Sequence, residues 1–574
     1  MTPAYVPFDV WKCVAEYVSD EDLKRLRSVD RSWRLIVQQV EYRNVGIKVW
    51  GKRTKECLKA LSNPARGLGQ HVRALEITPW IITSPVKVYT KRAKVWNRIN
   101  ALFDSEYPAR CASDHVKRKL AKHIDLVIST VQNLPDLHEF AVQWSPGSTY
   151  HPEFFSAFLG PILTKTKLGL NLTKLSVKVP TETLSTLAPL HFPQLACLEL
   201  DLHTGNLLTG EINDLLDSLI VFVNNTTRTL RTLSVSSTTE SKHLDLNRFF
   251  HLLGFFPLLT SFILCIPYDG AHISSPSFVF ARAMDKGAPN TSTPTETFIK
   301  KHAGQLEELQ IKSRRASPPV GPTSPHAKFW IQRILADIAG GDLTIGVDGS
   351  AGSSIHVGGA TSSASLDSTP AEAYSRLQKL EVPLRPLKSS LQPLHACLQA
   401  VSVQLKSLKL TERALTGDEL KGIITVLVIS SQLSFNVFTP LSDALSNSSQ
   451  LSLFTSSSHS QCKSSPIVPQ LNLTSLSLRV QELSPKLLDF LAEVVPGLRK
   501  LEIEVVDTAK EYTPCQLAHA AMQQHRHYSD WHLRVIQIRA PQSRRVYAWS
   551  QGIESILKAC IPGVDVEIML LNLV

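Results

Sequence analysis

"SPKLLDFLAEVVPGLRKLEI", residues Ser484 to Ile503, holds the architectural unit of this chain in one stretch. Leu487, Leu488, Leu491 and Val495 fall on one stripe of a helix. Pro496 and Gly497 then stop it. Leu498, Leu501 and Ile503 follow as apolar-x-x-apolar-x-apolar, a phrase that ends in the alternation of a strand. From residue 72 onward the phrase occurs twelve times, starting at Val72, Leu137, Leu172, Leu195, Leu230, Leu259, Leu306, Leu377, Leu405, Leu473, Leu498 and Leu533. Seven of these have polar residues at all three x positions, against roughly two expected by chance from this composition. In four units a proline stands two residues before the first apolar residue: Pro135, Pro193, Pro257 and Pro496. Helix, stop, strand is the repeated element.

Start-to-start spacings of 23, 25, 28, 29 and 35 residues lie near the length of a leucine-rich repeat. The gaps after Val72, Leu306 and Leu405 are 65, 71 and 68 residues and imply insertions or degenerate repeats. The expected class is α+β overall: three N-terminal helices followed by an irregular α/β leucine-rich-repeat solenoid, or horseshoe. The expected divisions are a helical unit at 1–45, a basic linker with a first divergent repeat at 46–130, and repeats at 131–312. A Ser-, Pro- and Gly-rich insertion follows at 313–370, with one helix expected near Trp330 to Ile338, and the repeats resume at 371–574 around a Ser-rich insertion at about 430–470. The first insertion reads as a surface loop that can be shortened without unfolding.

The 574 residues are 43% hydrophobic, ample for a core. The longest apolar run, Leu252 to Ile266, is interrupted by Gly254, Pro257, Thr260 and Ser261 and falls short of the roughly 20 residues a membrane span needs. Pro7, Asp9, Lys12 and Glu16 break up the first apolar residues, unlike a secretory leader. Nine cysteines without a CxxC pair suit reduced thiols, so a cytoplasmic or nuclear location is expected. The net charge of +11 is not evenly spread. Residues 1–125 hold 24 Lys and Arg against 13 Asp and Glu, while the remaining 449 balance at 37 against 37. The densest parts, Lys87 to Arg98 and Lys117 to Lys122, interleave with Tyr89 and Trp96, a pattern that can bind phosphate backbones. A solvated basic surface accounts for it more simply, and nucleic acid is not expected as a main partner.

The chain shows no set of residues for catalysis. Gly340, Gly341, Gly346, Gly349 and Gly352 never form GxGxxG, GxSxG is missing, and no phosphate loop follows a strand. His519, His525, His527 and His532 gather near Cys515 and Asp530, yet without HExxH or a cysteine pair they read as surface histidines. No catalytic residue, metal ligand or cofactor is expected.

The N-terminal stretch poses a different problem. In "VPFDVWKCVAEYVSDEDLKRLRSVDRSWRLIV", Val6 to Val37, Val6, Val10, Val14 and Val18 recur every four residues on a helix starting near Pro7. Trp11, Cys13 and Tyr17 widen that stripe. Ser19 or Asp20 can cap a second helix bearing Leu23 and Leu26, and Val29, Trp33, Ile36 and Val40 mark a third. Three helices in under forty residues carry more apolar surface than they can bury alone, so something else must cover them.

This stretch resembles an F-box. Val6-Pro7, Asp9, Val10, Val14, Val18, Asp22-Leu23, Leu26, Val29, Arg31 and Trp33-Arg34 match its pattern, with Val6 where the family prefers Leu and Asp9 where it prefers Glu. The downstream array is similar to the repeat half of F-box and leucine-rich-repeat proteins of the fungal type. The resemblance implies a substrate-recognition subunit of an SCF-type ubiquitin ligase, not itself an enzyme. A Skp-family adaptor, and through it a cullin, would dock on Pro7, Val10, Val14, Val18, Leu23, Leu26, Val29, Arg31 and Trp33. A protein substrate would lie on the repeats. By the period-two rule the side chains between the strand leucines point outward, which nominates Glu199, Asp201, Lys409, Thr411, Arg479, Glu502, Glu504, Gln537 and Arg539 as candidate contacts. The other reading is a leucine-rich-repeat scaffold or nucleic-acid-binding protein outside any ligase.

Overall fold

The computed structural model describes residues 6–78, 107–144, 159–164, 168, 170–205, 207–241, 243–267, 270–274, 293–314, 330–340, 343–344, 356–357, 374, 376–387, 390–438, 471–481, 483–506, 528, 530–541 and 554–571. They fall into two units, residues 1–245 with 252–259, and residues 246–251 with 260–574. Fourteen parallel strands follow chain order, six in the first unit and eight in the second. Among the described residues helices or 3-10 turns separate most successive strands, so the chain is α/β, the class expected of the repeats, rather than α+β overall.

The first unit opens with three helices, α1 (Phe8–Ala15), α2 (Asp20–Leu26) and α3 (Arg31–Arg43). Ser19 caps α2 by accepting from the Asp22 N–H, and the Asp30 carboxylate caps α3 by accepting from the Trp33 N–H at 2.8 Å. Without a linker, α3 runs into β1 (Asn44–Ile47). The other strands are β2 (Ala74–Ile77), β3 (Glu139–Gln143), β4 (Lys174–Pro180), β5 (Cys197–His203) and β6 (Thr232–Ser237). Helix α4 (Lys52–Leu61) connects β1 to β2, and α5 (Tyr107–Gln132) precedes β3. Strand β2 is the repeat expected from Val72 within 46–130, and β1 straddles the division drawn at residue 45. Just before β2 the chain passes so close to the end of α5 that a Cβ on Gly69 would lie 2.1 Å from the Asn133 carbonyl oxygen.

In the second unit the ladder is β7 (Ser261–Pro267), β8 (Glu308–Arg314), β11 (Lys379–Pro383), β12 (Ser407–Thr411), β13 (Ser475–Val480), β14 (Lys500–Val505), β15 (Val535–Pro541) and β16 (Asp565–Leu571). The two-residue strands β9 (Leu343–Thr344) and β10 (His356–Val357) form a separate antiparallel pair. In the stretch Ser484–Ile503, Ser484 caps a helix at Pro485–Val494, Val495 ends it, and β14 begins at Lys500. Leu487, Leu488, Leu491 and Val495 are all buried.

All twelve phrases land on strands, in register from strand to strand within each unit. At every one the three apolar residues are at most 3% exposed, for example Leu498, Leu501 and Ile503 at 0, 0 and 1%. Between neighbouring turns a backbone bond recurs just before the strand, such as Arg499 N–H to the Thr474 oxygen at 2.9 Å and Arg534 N–H to the Arg499 oxygen at 2.9 Å. The apolar side chains are therefore stacked in columns, and burying each contributes about 1.5–3 kcal/mol. Register also reveals two turns whose phrase is disguised. Val45 and Ile47 stand opposite Leu75 and Ile77, which makes Tyr42 the first residue of a phrase hidden in the end of α3. Val566 and Ile568 stand opposite Ile536 and Ile538, and the first position there is Gly563, whose φ of +75° suits glycine.

The insertion after β8 is not all dispensable. A helix does form at Trp330–Ile338, and Trp330, Ile331, Ile334, Leu335 and Ile338 on it are buried. The Trp330 ring lies so close to Gly270, φ +65°, that a Cβ there would come within 2.2 Å. Arg333 pairs with the buried Glu296 at 3.1 Å. Removing all of 313–370 would take this packing away, so a shortening that keeps the fold has to spare Trp330–Ile338. In the second insertion a helix at Gly417–Phe438 covers the start, and 439–470 lie outside the described residues.

Candidate functional site

The N-terminal helices present the first candidate surface. Their core is Ala15, Leu23, Trp33, Ile36 and Val37, with Phe8, Trp11, Val18 and Leu26 packed partly buried against it. The Trp11 and Trp33 rings are 5.3 Å apart. Of the nine nominated docking residues, Leu23 and Trp33 are buried, and Val18 and Leu26 are core-packing. Pro7, at the N-cap of α1, and Arg31, at the start of α3, are exposed. Val10, Val14 and Val29 are exposed at 47, 41 and 63%. The structure thus separates the nominated set into residues that hold the helices together and residues that face outward. Tyr17, one turn beyond Val14, is 91% exposed. The sequence could not sort them, because a helical stripe shows which residues share a face but not how wide a partner's coverage is.

The second surface is the outward row of the strands. Glu199 pairs with Lys174 across β5 and β4 at 2.8 Å, and Asp201 with Lys178 at 3.4 Å. Hydrogen bonding and charge from Glu199 raise the Lys174 ammonium's pKa, against the lowering effect of burial. In the second unit Lys409 lies 3.2 Å from Glu381, which Lys312 also approaches at 3.6 Å. Arg479 meets Glu504 at 3.1 Å and donates to the Glu412 carbonyl at 2.8 Å. Glu502 pairs with Lys500 at 2.6 Å. Burial works to raise the Glu502 carboxyl, but Lys500, Ser477 and the field of Arg539 outweigh it and hold the pKa low. Gln537 donates to Glu567 on β16. Thr411 and Arg539 stand half-buried in the same face. The nominated residues occupy the strand positions between the leucines, most of them beside a charge, but Asp201 is only 9% exposed, so the expectation that it faces outward is corrected: its neighbours cover it against Lys178. The partners Lys174, Lys178, Glu381 and Glu567 were not nominated; only inter-strand register, which lies far apart in sequence, brings them in.

At the end of β5, His203 stacks on the buried Trp144 with centroids 4.7 Å apart, bonds Thr238 through Nδ1 at 2.9 Å, and lies 3.6 Å from Glu240. Burial lowers its pKa, with Glu240 and Asp201 opposing. Thiols give little reactivity: burial pushes Cys197 up to about 11 and Cys397 up to about 12, so both are protonated near neutrality. Among the described residues no group of three or more His, Cys, Asp or Glu is placed to hold a metal. Of the C-terminal histidine cluster, His532 and Asp530 are described and the rest lie outside the described residues, as does Lys87 to Arg98. No helix among the described residues is long and apolar enough to cross a membrane. Neither protein-family models nor curated proteins match this chain.

Proposed function

We propose that this chain is the substrate-recognition subunit of an SCF-type ubiquitin ligase. Its N-terminal helices act as an F-box that docks on a Skp-family adaptor and thereby a cullin. Its strands and helices act as leucine-rich repeats that hold a protein substrate for ubiquitin transfer by other subunits. The reading rests on one observation: a five-residue core carries an outward apolar face at Val10, Val14 and Val29 that the described chain leaves exposed. With 41 to 63% of each side chain still open, covering them is worth about half of the roughly 1.5–3 kcal/mol of a full burial, so together they add about 2–4 kcal/mol to an interface that other contacts complete. The chain supplies recognition rather than catalysis, and the paired charges of the strand face would exchange partners when substrate binds.

Co-expression with a Skp-family adaptor tests the proposal. The wild-type chain should co-purify with the adaptor. Val14→Asp, which puts a carboxylate on the exposed face, should abolish co-purification while leaving circular dichroism and the main unfolding transition unchanged. A wild-type chain that never co-purifies removes the docking role. A Val14→Asp chain that loses its repeats as well shows that the helices only cap the array.

A further inference from the structure

The basic excess of residues 1–125 is gathered by the fold in a way the sequence does not show. Helices α4 and α5 lie side by side and run in the same direction. Trp50 donates to His123 at 3.2 Å with ring centroids 4.5 Å apart, Thr130 donates to the Leu58 carbonyl at 3.2 Å, and Asn133 donates to the Ser62 carbonyl at 3.1 Å. Residue 50 is therefore level with 123, 58 with 130 and 62 with 133. This pairing brings Arg118 and Lys122 of α5 beside the end of α4 that carries Lys52, Arg53 and Lys55, with Lys59 one turn on. The side chains of Lys52, Arg53, Lys59, Arg118 and Lys122 are exposed, and the Lys55 ammonium sits 5.9 Å from the Trp50 ring. Against these six cations stand Glu56, 4.0 Å from Lys52, and Asp125.

Two features separate this surface from an ordinary solvated helix. Lys52 and Arg53 occupy the first turn of α4, where the helix dipole disfavours positive charge, and that turn has neither an acidic residue nor a side-chain cap. The placement costs the helix stability. The described exposed positions of both helices, moreover, include no large apolar side chain, and Val49, just before α4 and 67% exposed, is a single apolar residue among cations, whereas a protein interface is built around an apolar centre. Cations about one helical turn apart in two parallel rows, without such a centre, match a regularly charged polymer bound through its backbone.

We infer that the α4–α5 surface binds the phosphate backbone of nucleic acid without reading its sequence. The site is distant in kind from the apolar docking face and does not depend on the ligase reading. The test uses the full-length chain and a fluorescein-labelled random-sequence 25-base-pair DNA duplex, followed by anisotropy between 50 and 200 mM salt. With about five phosphates engaged, log affinity should fall against log salt with a slope of about −4 to −5, a loss on the order of several hundred-fold across that range. The variant K52Q/R53Q/K122Q alters exposed side chains only, so its thermal unfolding should match wild type while the slope becomes shallower by about 3. Absence of binding at 50 mM salt, or an unchanged slope in the variant, overturns the inference. A polyglutamate peptide that displaces the duplex at equal charge concentration also overturns it, in favour of an acidic protein partner.

Discussion

The N-terminal helices and the strand array are both built from apolar residues at regular spacing, yet they end differently. In the array, the three apolar residues of all twelve phrases are at most 3% exposed. In α1 and the turn before α3, Val10, Val14 and Val29 keep 41 to 63% of their surface. The array succeeds because each turn covers the last, so a strand's inward residues meet the next strand's inward residues at matched height. The helices have no successive copy of themselves to stack on. Regular spacing closes a core where the same element repeats; where it occurs once, as in these helices, part of the apolar stripe stays exposed among the described residues.

The largest effect that tests this contrast is a matched pair of truncations. Leu408→Ala, in a column residue that is 0% exposed, should cost about 2–5 kcal/mol in chemical denaturation. Val29→Ala should cost under about 0.5 kcal/mol. Equal losses would mean that the helices close on themselves as the repeats do, and the contrast would fail.

A smaller effect concerns pH within the repeat core. His302 is buried, donates from Nδ1 to the Phe298 carbonyl at 2.8 Å, and burial lowers its pKa from 6.5 to about 4. The unfolded chain binds a proton below about pH 6.5 that the native ring refuses until about pH 4, so the stabilisation is present above 6.5 and fades as pH falls. Between pH 8 and pH 5 the second unit should lose about 2 kcal/mol through this group alone. His302→Gln should flatten that part of the stability profile. An unchanged profile would show that the ring is not held neutral by burial.

The smallest effect belongs to the strand face. Lys500→Met removes the partner of the half-buried Glu502, whose carboxylate keeps Ser477 and the field of Arg539, and should change stability by no more than about 1 kcal/mol. The Glu502 carboxyl, followed by NMR titration, should rise toward its ordinary value. A loss of several kcal/mol would mean that these pairs hold the array together instead of lying ready for exchange.

The repeat was legible because its signal is local: the helix stripe Leu487 to Val495, its stop at Pro496, and the alternation after Leu498 all act within one turn of chain. The same local chemistry placed a helix at Trp330–Ile338. Local pattern failed where it met structure from elsewhere. Tyr42 lies in the last turn of α3 and also starts the first phrase, and Gly563 hides the last one. The outward charges were legible by strand parity, but their pairing was not, since Lys174 and Glu199, or Lys409 and Glu381, become neighbours only through register. By itself, then, the sequence determined the unit of the fold and the strands on which its leucines are buried, because periodicity and breaker residues act over a few residues. Tertiary structure alone decided which N-terminal apolar residues face outward, which charges are matched, and that Trp50 and His123, some seventy residues apart, stand side by side. Burial and Coulomb energy depend on distances in space, and only the stacking of one turn on the next sets those distances.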